Sequence, residues 1–205
     1  MHYINKSRFF ALMLTLTLLF SFLMSYAKST GSNIANAVVR LHVIANSNSD
    51  CDQSLKLKVR DKILADASHI LGASNSATDA ISTAKSNSKL IQEIAETEIR
   101  RLGFDYPVKV SVGKYPFPTK VYGDIALPSG KYNAVKVEIG EAAGENWWCV
   151  MYPPLCFTDG VVATDSMKKQ LENNLSPADY NLITQTDSVP VEVRFRIVEI
   201  FQNLF

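Results

Sequence analysis

Ile99-Arg100-Arg101-Leu102-Gly103-Phe104-Asp105-Tyr106-Pro107-Val108-Lys109-Val110-Ser111-Val112 is where the hydrophobic period of this chain changes. Before Gly103, Ile81, Ala84, Ile91, Ala95 and Leu102 form an apolar stripe at helical spacing, and the glycine stops it. After it, Val108, Val110 and Val112 alternate with Lys109 and Ser111, the pattern of a strand with one wet face. Helices therefore precede strands, and the rest of the chain extends that order in both directions.

Upstream, Gln53–Leu71 reads as a helix carrying Leu55, Val59, Ile63 and Ile70, ended by Gly72. Ser76 with Asp79 opens a second helical stretch, which the Ser86-Asn87-Ser88 patch divides in two. Val38–Ala45 is a strand, with Val39, Leu41 and Val43 on one face and His42 on the other. Asn46–Asp52 alternates oxygen-bearing side chains as a calcium loop does, but its sixth position is not Gly and its twelfth is Leu57 instead of Glu. Asp50 or Asp52 is better read as a helix cap, with Gln53 completing a capping box.

Downstream, Tyr132–Ile139 and Trp147–Tyr152 read as strands joined by a turn at Gly140–Asn146. Tyr115–Lys131, rich in Pro and Gly, reads as a long loop between the first two strands of this half. Residues 158–187 are polar and irregular, with helix-like pieces at Met167–Asn173 and Ala178–Ile183. Val189–Ile197 alternates like a strand, and Ile200–Phe205 has the pattern of a terminal helical turn. The order implies a single α+β domain over 38–205, a mostly antiparallel sheet with two or three helices packed on one face.

The N-terminus has a different character. Lys6 and Arg8 precede an apolar run from Phe9 to Met24, and Ser25-Tyr26-Ala27 supplies small residues at the positions a signal peptidase reads. Residues 1–27 are thus expected to be a secretion signal, cut after Ala27. The absence of charge between Arg8 and Lys28 makes a retained anchor the alternative, since about 20 residues span a bilayer. Lys28 to Asn36 is small and polar, so 28–37 is expected to be a tether. Either outcome places the domain outside the cytoplasm.

Two of the 21 bases and none of the 20 acids lie in residues 1–27, leaving the exported part with one acid in excess. Such a balance gives no electrostatic case for nucleic acid, and a membrane role is expected only through the N-terminal segment.

Few residues could carry covalent chemistry. His42 is a lone strand histidine, and His69 sits on a helix between Ser68 and Ile70. No serine-hydrolase elbow, zinc-protease motif or phosphate-binding glycine loop is present. No catalytic residue, cofactor or metal ligand is therefore assigned, and a cell-envelope hydrolase using a Cys/His pair is the alternative function. Of three cysteines, Cys149 and Cys156 flank a Pro-Pro turn and are the natural disulfide couple, leaving Cys51 over. Asn146–Phe157 concentrates Trp, Tyr and Met, the residues that anchor protein interfaces. In a strand Trp147 and Trp148 point to opposite faces, so at most one belongs to the core. The other either meets a partner or packs under the 115–131 loop.

Four strings carry a resemblance: Arg40–Ser47, Phe117–Gly123, Leu127–Tyr132 and Asn146–Phe157. Together they resemble the stage II sporulation protein R family of endospore-forming bacteria, over about residues 38 to 157, with the C-terminal strand also similar and 158–187 least so. The resemblance implies a signalling protein made in the forespore and exported into the space between the forespore and mother-cell membranes. There it would trigger a membrane-embedded aspartic protease that processes the precursor of sigma-E, without being an enzyme itself. Trp147, Trp148, Tyr152, Pro153 and Pro154, with Tyr122 and Gly123, are the candidate partner-binding residues.

Overall fold

A computed structural model describes residues 6–71, 74–153 and 165–184. Helix α1 spans Lys6–Asn36 and is long and apolar enough to cross a membrane. Its apolar side chains, Phe10 and Phe22 among them, face outward. The expected tether is instead the end of this helix. Nothing from Lys28 to Asn36 breaks a helix except Gly31, and the last turn has somewhere to go: Ile34 and Ala35 enter the core.

Strand β1 (Val39–Ile44) follows directly, and then α2 (Asp50–Leu71). The cap of α2 is Ser49, one residue before the expected aspartates: its hydroxyl accepts from the Asp52 N–H at 3.2 Å. Asp52 instead accepts from Ser47 at 2.6 Å and Asn46 at 2.8 Å, which hold its carboxyl below the usual range. Asn46 and Asn48 use their side-chain oxygens to bind the backbone N–H groups of Glu141 and Glu145. The oxygen-rich string is a clasp between two turns.

Helices α3 (Ala77–Ser86) and α4 (Ser88–Arg101) meet at Asn87, where the sequence predicted a break. Ser76 caps α3 by accepting from Asp79 N–H. At the end of α4, Phe104 N–H bonds to the Ile99 carbonyl and Gly103 N–H to that of Arg100. This Schellman closure needs a left-handed residue, and Gly103 supplies it at φ +85°.

The period-two half forms β2 (Val108–Phe117), β3 (Lys120–Tyr122), β4 (Ile125–Leu127), β5 (Gly130–Ile139) and β6 (Asn146–Tyr152). The main sheet has the order β2-β5-β1-β6, with only the β1–β5 pair parallel. The expected 115–131 loop is mostly strand. β2 runs on to Phe117 opposite Gly130, and β3 and β4 form a hairpin turned at Gly123 (φ +61°) and Asp124. Pro116 is tolerated because β2 is an edge strand.

Leu41, Val43, Val135 and Val137 share the sheet face toward α2, whose Arg60 lies 4.1 Å over Trp147. The opposite face is covered by the β3–β4 hairpin. The helix-like pieces expected at Met167–Asn173 and Ala178–Ile183 are α5 (Asp165–Asn174) and α6 (Pro177–Thr184), which bury Leu171 and Ile183. Asp179 of α6 receives a hydrogen bond from Asn33 of α1 at 3.2 Å. The architecture is the expected α+β one. The strand expected at Val189–Ile197 and the turn at Ile200–Phe205 lie outside the described residues.

Candidate functional site

The hairpin face of the sheet holds a cluster that the sequence reading did not single out. β1 is a central strand whose one face lies toward α2 and whose other face lies under the hairpin, and Arg40 is fully buried. Its guanidinium lies 4.2 Å from the ring centre of Phe117, 4.8 Å from Tyr132 and 5.8 Å from Tyr122. Nη2 donates to the Tyr122 hydroxyl at 2.6 Å, and that hydroxyl donates to the Trp148 carbonyl at 3.3 Å. Tyr132 donates to the Pro128 carbonyl at 2.6 Å. Among the described residues Nε and Nη1 have no hydrogen-bond partner, so ring quadrupoles and one hydroxyl carry the charge. Burial pushes the Tyr132 phenol far up; burial also raises Tyr122, with Arg40 pulling the other way.

His42 continues this face two residues on. Its ring stacks on Trp148 at 3.7 Å and 21°, and Phe117 meets both rings edge-on. Nε2 is 2.6 Å from Asn146 Oδ1, which makes Nε2 the protonated nitrogen if the ring is neutral. Burial lowers the pKa of His42 below 6.5, partly offset by the Asn146 bond. Stacked on Trp148 and bonded to Asn146, with Lys136 and Glu138 the charges that act on it, His42 is held as a packing residue. Cys149 pairs with Leu41 and projects from the other face, so the sheet separates it from His42.

The structure distributes the expected partner-binding residues unevenly. Tyr122, Tyr152 and Pro153 are buried; Tyr152 packs with Val39, Ala77 and Ala80. Trp147 and Trp148 are half-buried, one against each face of the sheet, so neither stands free as an aromatic anchor. Gly123 is exposed, and beside it Val121, at 52 %, is the most exposed large apolar residue described outside α1. Pro154 and Cys156 lie outside the described residues. Cys51 is a free, exposed thiol, whereas Cys149 is buried in β6.

Arg40 had one signal in the sequence: a lone charge inside Val-Val-Arg-Leu-His-Val-Ile. What it meets is informative. Arg40, Phe117 with Tyr122, Tyr132, and Trp148 come one or two from each of the four strings on which the family resemblance rests, and they close into one cluster. Among the described residues no group of acids, His and Cys could hold a metal ion.

These features define an α+β domain on a membrane-length N-terminal helix, built around a buried arginine–aromatic cage beneath the β3–β4 hairpin. Residues 35–162 match the family model of stage II sporulation protein R, and the chain belongs to that family. It is 36 % identical over 126 residues to stage II sporulation protein R of Bacillus subtilis (strain 168). That alignment covers 62 % of this chain and 56 % of the relative, so the chain spans little more than half the relative's length. No solved structure matches.

Proposed function

We propose that this protein is an extracytoplasmic signal of sporulation that acts by binding, not by catalysis. It triggers a membrane-embedded aspartic protease, which then processes the sigma-E precursor in the mother cell. Membership of the stage II sporulation protein R family carries this reading. The outward-facing apolar length of α1 supports export, toward the space between the forespore and mother-cell membranes. The packing of His42 and its separation from Cys149 weigh against the Cys/His hydrolase.

In this reading the partner meets the β3–β4 hairpin at Val121 and Gly123. The cage below fixes the hairpin, which lowers the ordering cost of binding. In the same reading Cys149 forms a disulfide with Cys156 that staples the Pro-Pro turn between them. The test is co-expression with the protease and the sigma-E precursor in a non-sporulating host. Precursor cleavage that depends on this chain supports the proposal, and cleavage unaffected by its presence refutes it. N-terminal sequencing of the exported product separates the two N-terminal outcomes: a start at Lys28 means a cleaved signal, and retained Met1 an anchor.

A further inference from the structure

A groove of about 650 Å³ lies between the last turns of α1 and the neighbouring ends of β2 and β5. Lys28 of α1, Lys114 of β2 and Lys131 of β5 line it, all three exposed, and no acidic residue does. None of the three is ion-paired with a carboxylate among the described residues. Pro116 pairs with Lys131 and Lys114 with Asn133, so the two strand lysines are diagonal neighbours on one face. Like charges held this close repel one another and are stabilised by an anion.

The position of the groove indicates which anion. The apolar run of α1 closes at Tyr26, 59 % exposed, the kind of residue that sits at a bilayer's edge. Lys28 follows two residues later, about 3 Å along the axis at 1.5 Å per residue. A headgroup layer is about 5–7 Å deep on each side of the hydrocarbon. The helix runs unbroken to Asn36 with Ile34 in the core, so the domain cannot swing away from this level. Near-neutral net charge conceals the arrangement, because the balancing acids lie elsewhere on the domain.

We propose that this groove docks on anionic phospholipid headgroups of the outer leaflet of the membrane that α1 enters, fixing the domain's orientation on that surface. The inference does not depend on the protease reading, since it concerns only the chain and its lipid, but it rests on the anchor outcome, in which α1 is retained.

The test uses the full chain reconstituted through α1 into nanodiscs of phosphatidylcholine, alone or with about 30 % phosphatidylglycerol, the lipid fraction being large enough to set a surface potential. Amine acetylation is followed lysine by lysine, with Lys109 at the far end of β2 as internal reference. Lys114 and Lys131 should label about 5-fold or more slowly in the anionic discs, the attraction expected per lysine near such a surface. About 0.5 M salt should restore their rates, because screening shortens the reach of the charges to a few ångströms. Equal rates in both discs overturn the proposal. Slow labelling in neutral discs as well overturns it too, since the lysines are then covered without regard to lipid charge. If about 10 mM inorganic phosphate protects them equally in neutral discs, on the scale of a weak anion site, the groove takes a free anion and the lipid assignment fails.

Discussion

Replacing Arg40 by Met tests whether the buried guanidinium is held by three rings and one hydroxyl. Its favourable contacts are one charge-assisted hydrogen bond, about 1.5–3 kcal/mol, and three ring faces at about 0.5–2 kcal/mol each. Against them stands the effective cost of desolvating an unpaired charge, several kcal/mol. The two sides offset to within about 2 kcal/mol. Met has comparable length, no charge to desolvate, and a sulfur that packs favourably on rings. The Tyr122 hydroxyl keeps its bond to the Trp148 carbonyl. Arg40→Met should therefore change unfolding free energy by no more than about 1.5 kcal/mol, as replacement of buried charge by an apolar side chain often does. Arg40→Ala leaves a hole between Phe117 and Tyr132 and should cost about 3–5 kcal/mol. Urea unfolding of the full chain in a non-ionic detergent, followed by tryptophan fluorescence, reads both values, because Trp148 packs on the cage. If Met is as damaging as Ala, the guanidinium has a stronger partner than the rings and one hydroxyl, and this account is refuted.

Acid should destabilise the protein in a window set by His42. Its folded pKa lies below the unfolded value of 6.5, so the unfolded chain takes the proton first. Stability is then full above about pH 6.5, falls below it, and levels once the folded imidazole also titrates. His42→Gln should remove that component of the pH profile while leaving precursor cleavage largely intact; a loss near 1000-fold with normal folding would instead mark a general base. Gly144→Ala should cost about 1–3 kcal/mol in urea unfolding, because its new methyl would collide with the Ser47 carbonyl in the turn clasp. Replacing Cys149 and Cys156 together by Ser should cost about 2–3 kcal/mol, the value of a short closed loop, without abolishing folding. The same variant should be exported yet drive less precursor cleavage; free thiol labelling at both positions of the native protein would remove the premise.

The elements with strong periodicity were legible. Each stripe from Leu55 to Ile99 became a helix, and each alternation from Val108 to Tyr152 a strand, because those patterns record burial on one side. Signals that depend on a short polar segment were less so. Residues 28–36 carry little apolar content, yet two side chains, Ile34 and Ala35, suffice to dock the end of a helix already propagating from the N-terminal side. Residues 165–184 are as polar, yet their two helical pieces were legible, and Leu171 and Ile183 hold them.

The arginine cage was missed for a reason that follows from another error. Alternation in Val39–Ile44 assigns Arg40 and His42 to the face opposite Leu41, which for a half-buried strand means solvent. β1, however, is central, with β5 on one side and β6 on the other, and its second face is covered by what the Pro- and Gly-rich residues 115–131 become. Read as a loop, that stretch offered nothing to cover Arg40. Folded as the end of β2, a hairpin and the start of β5, it brings Phe117, Tyr122 and Tyr132 over the guanidinium. One local misreading thus removed both the lid and the residue beneath it. The same coupling sets the physics: Arg40 is tolerable in the core only if the hairpin is formed, and its bond to Tyr122 adds to the one that Tyr122 makes with the Trp148 carbonyl.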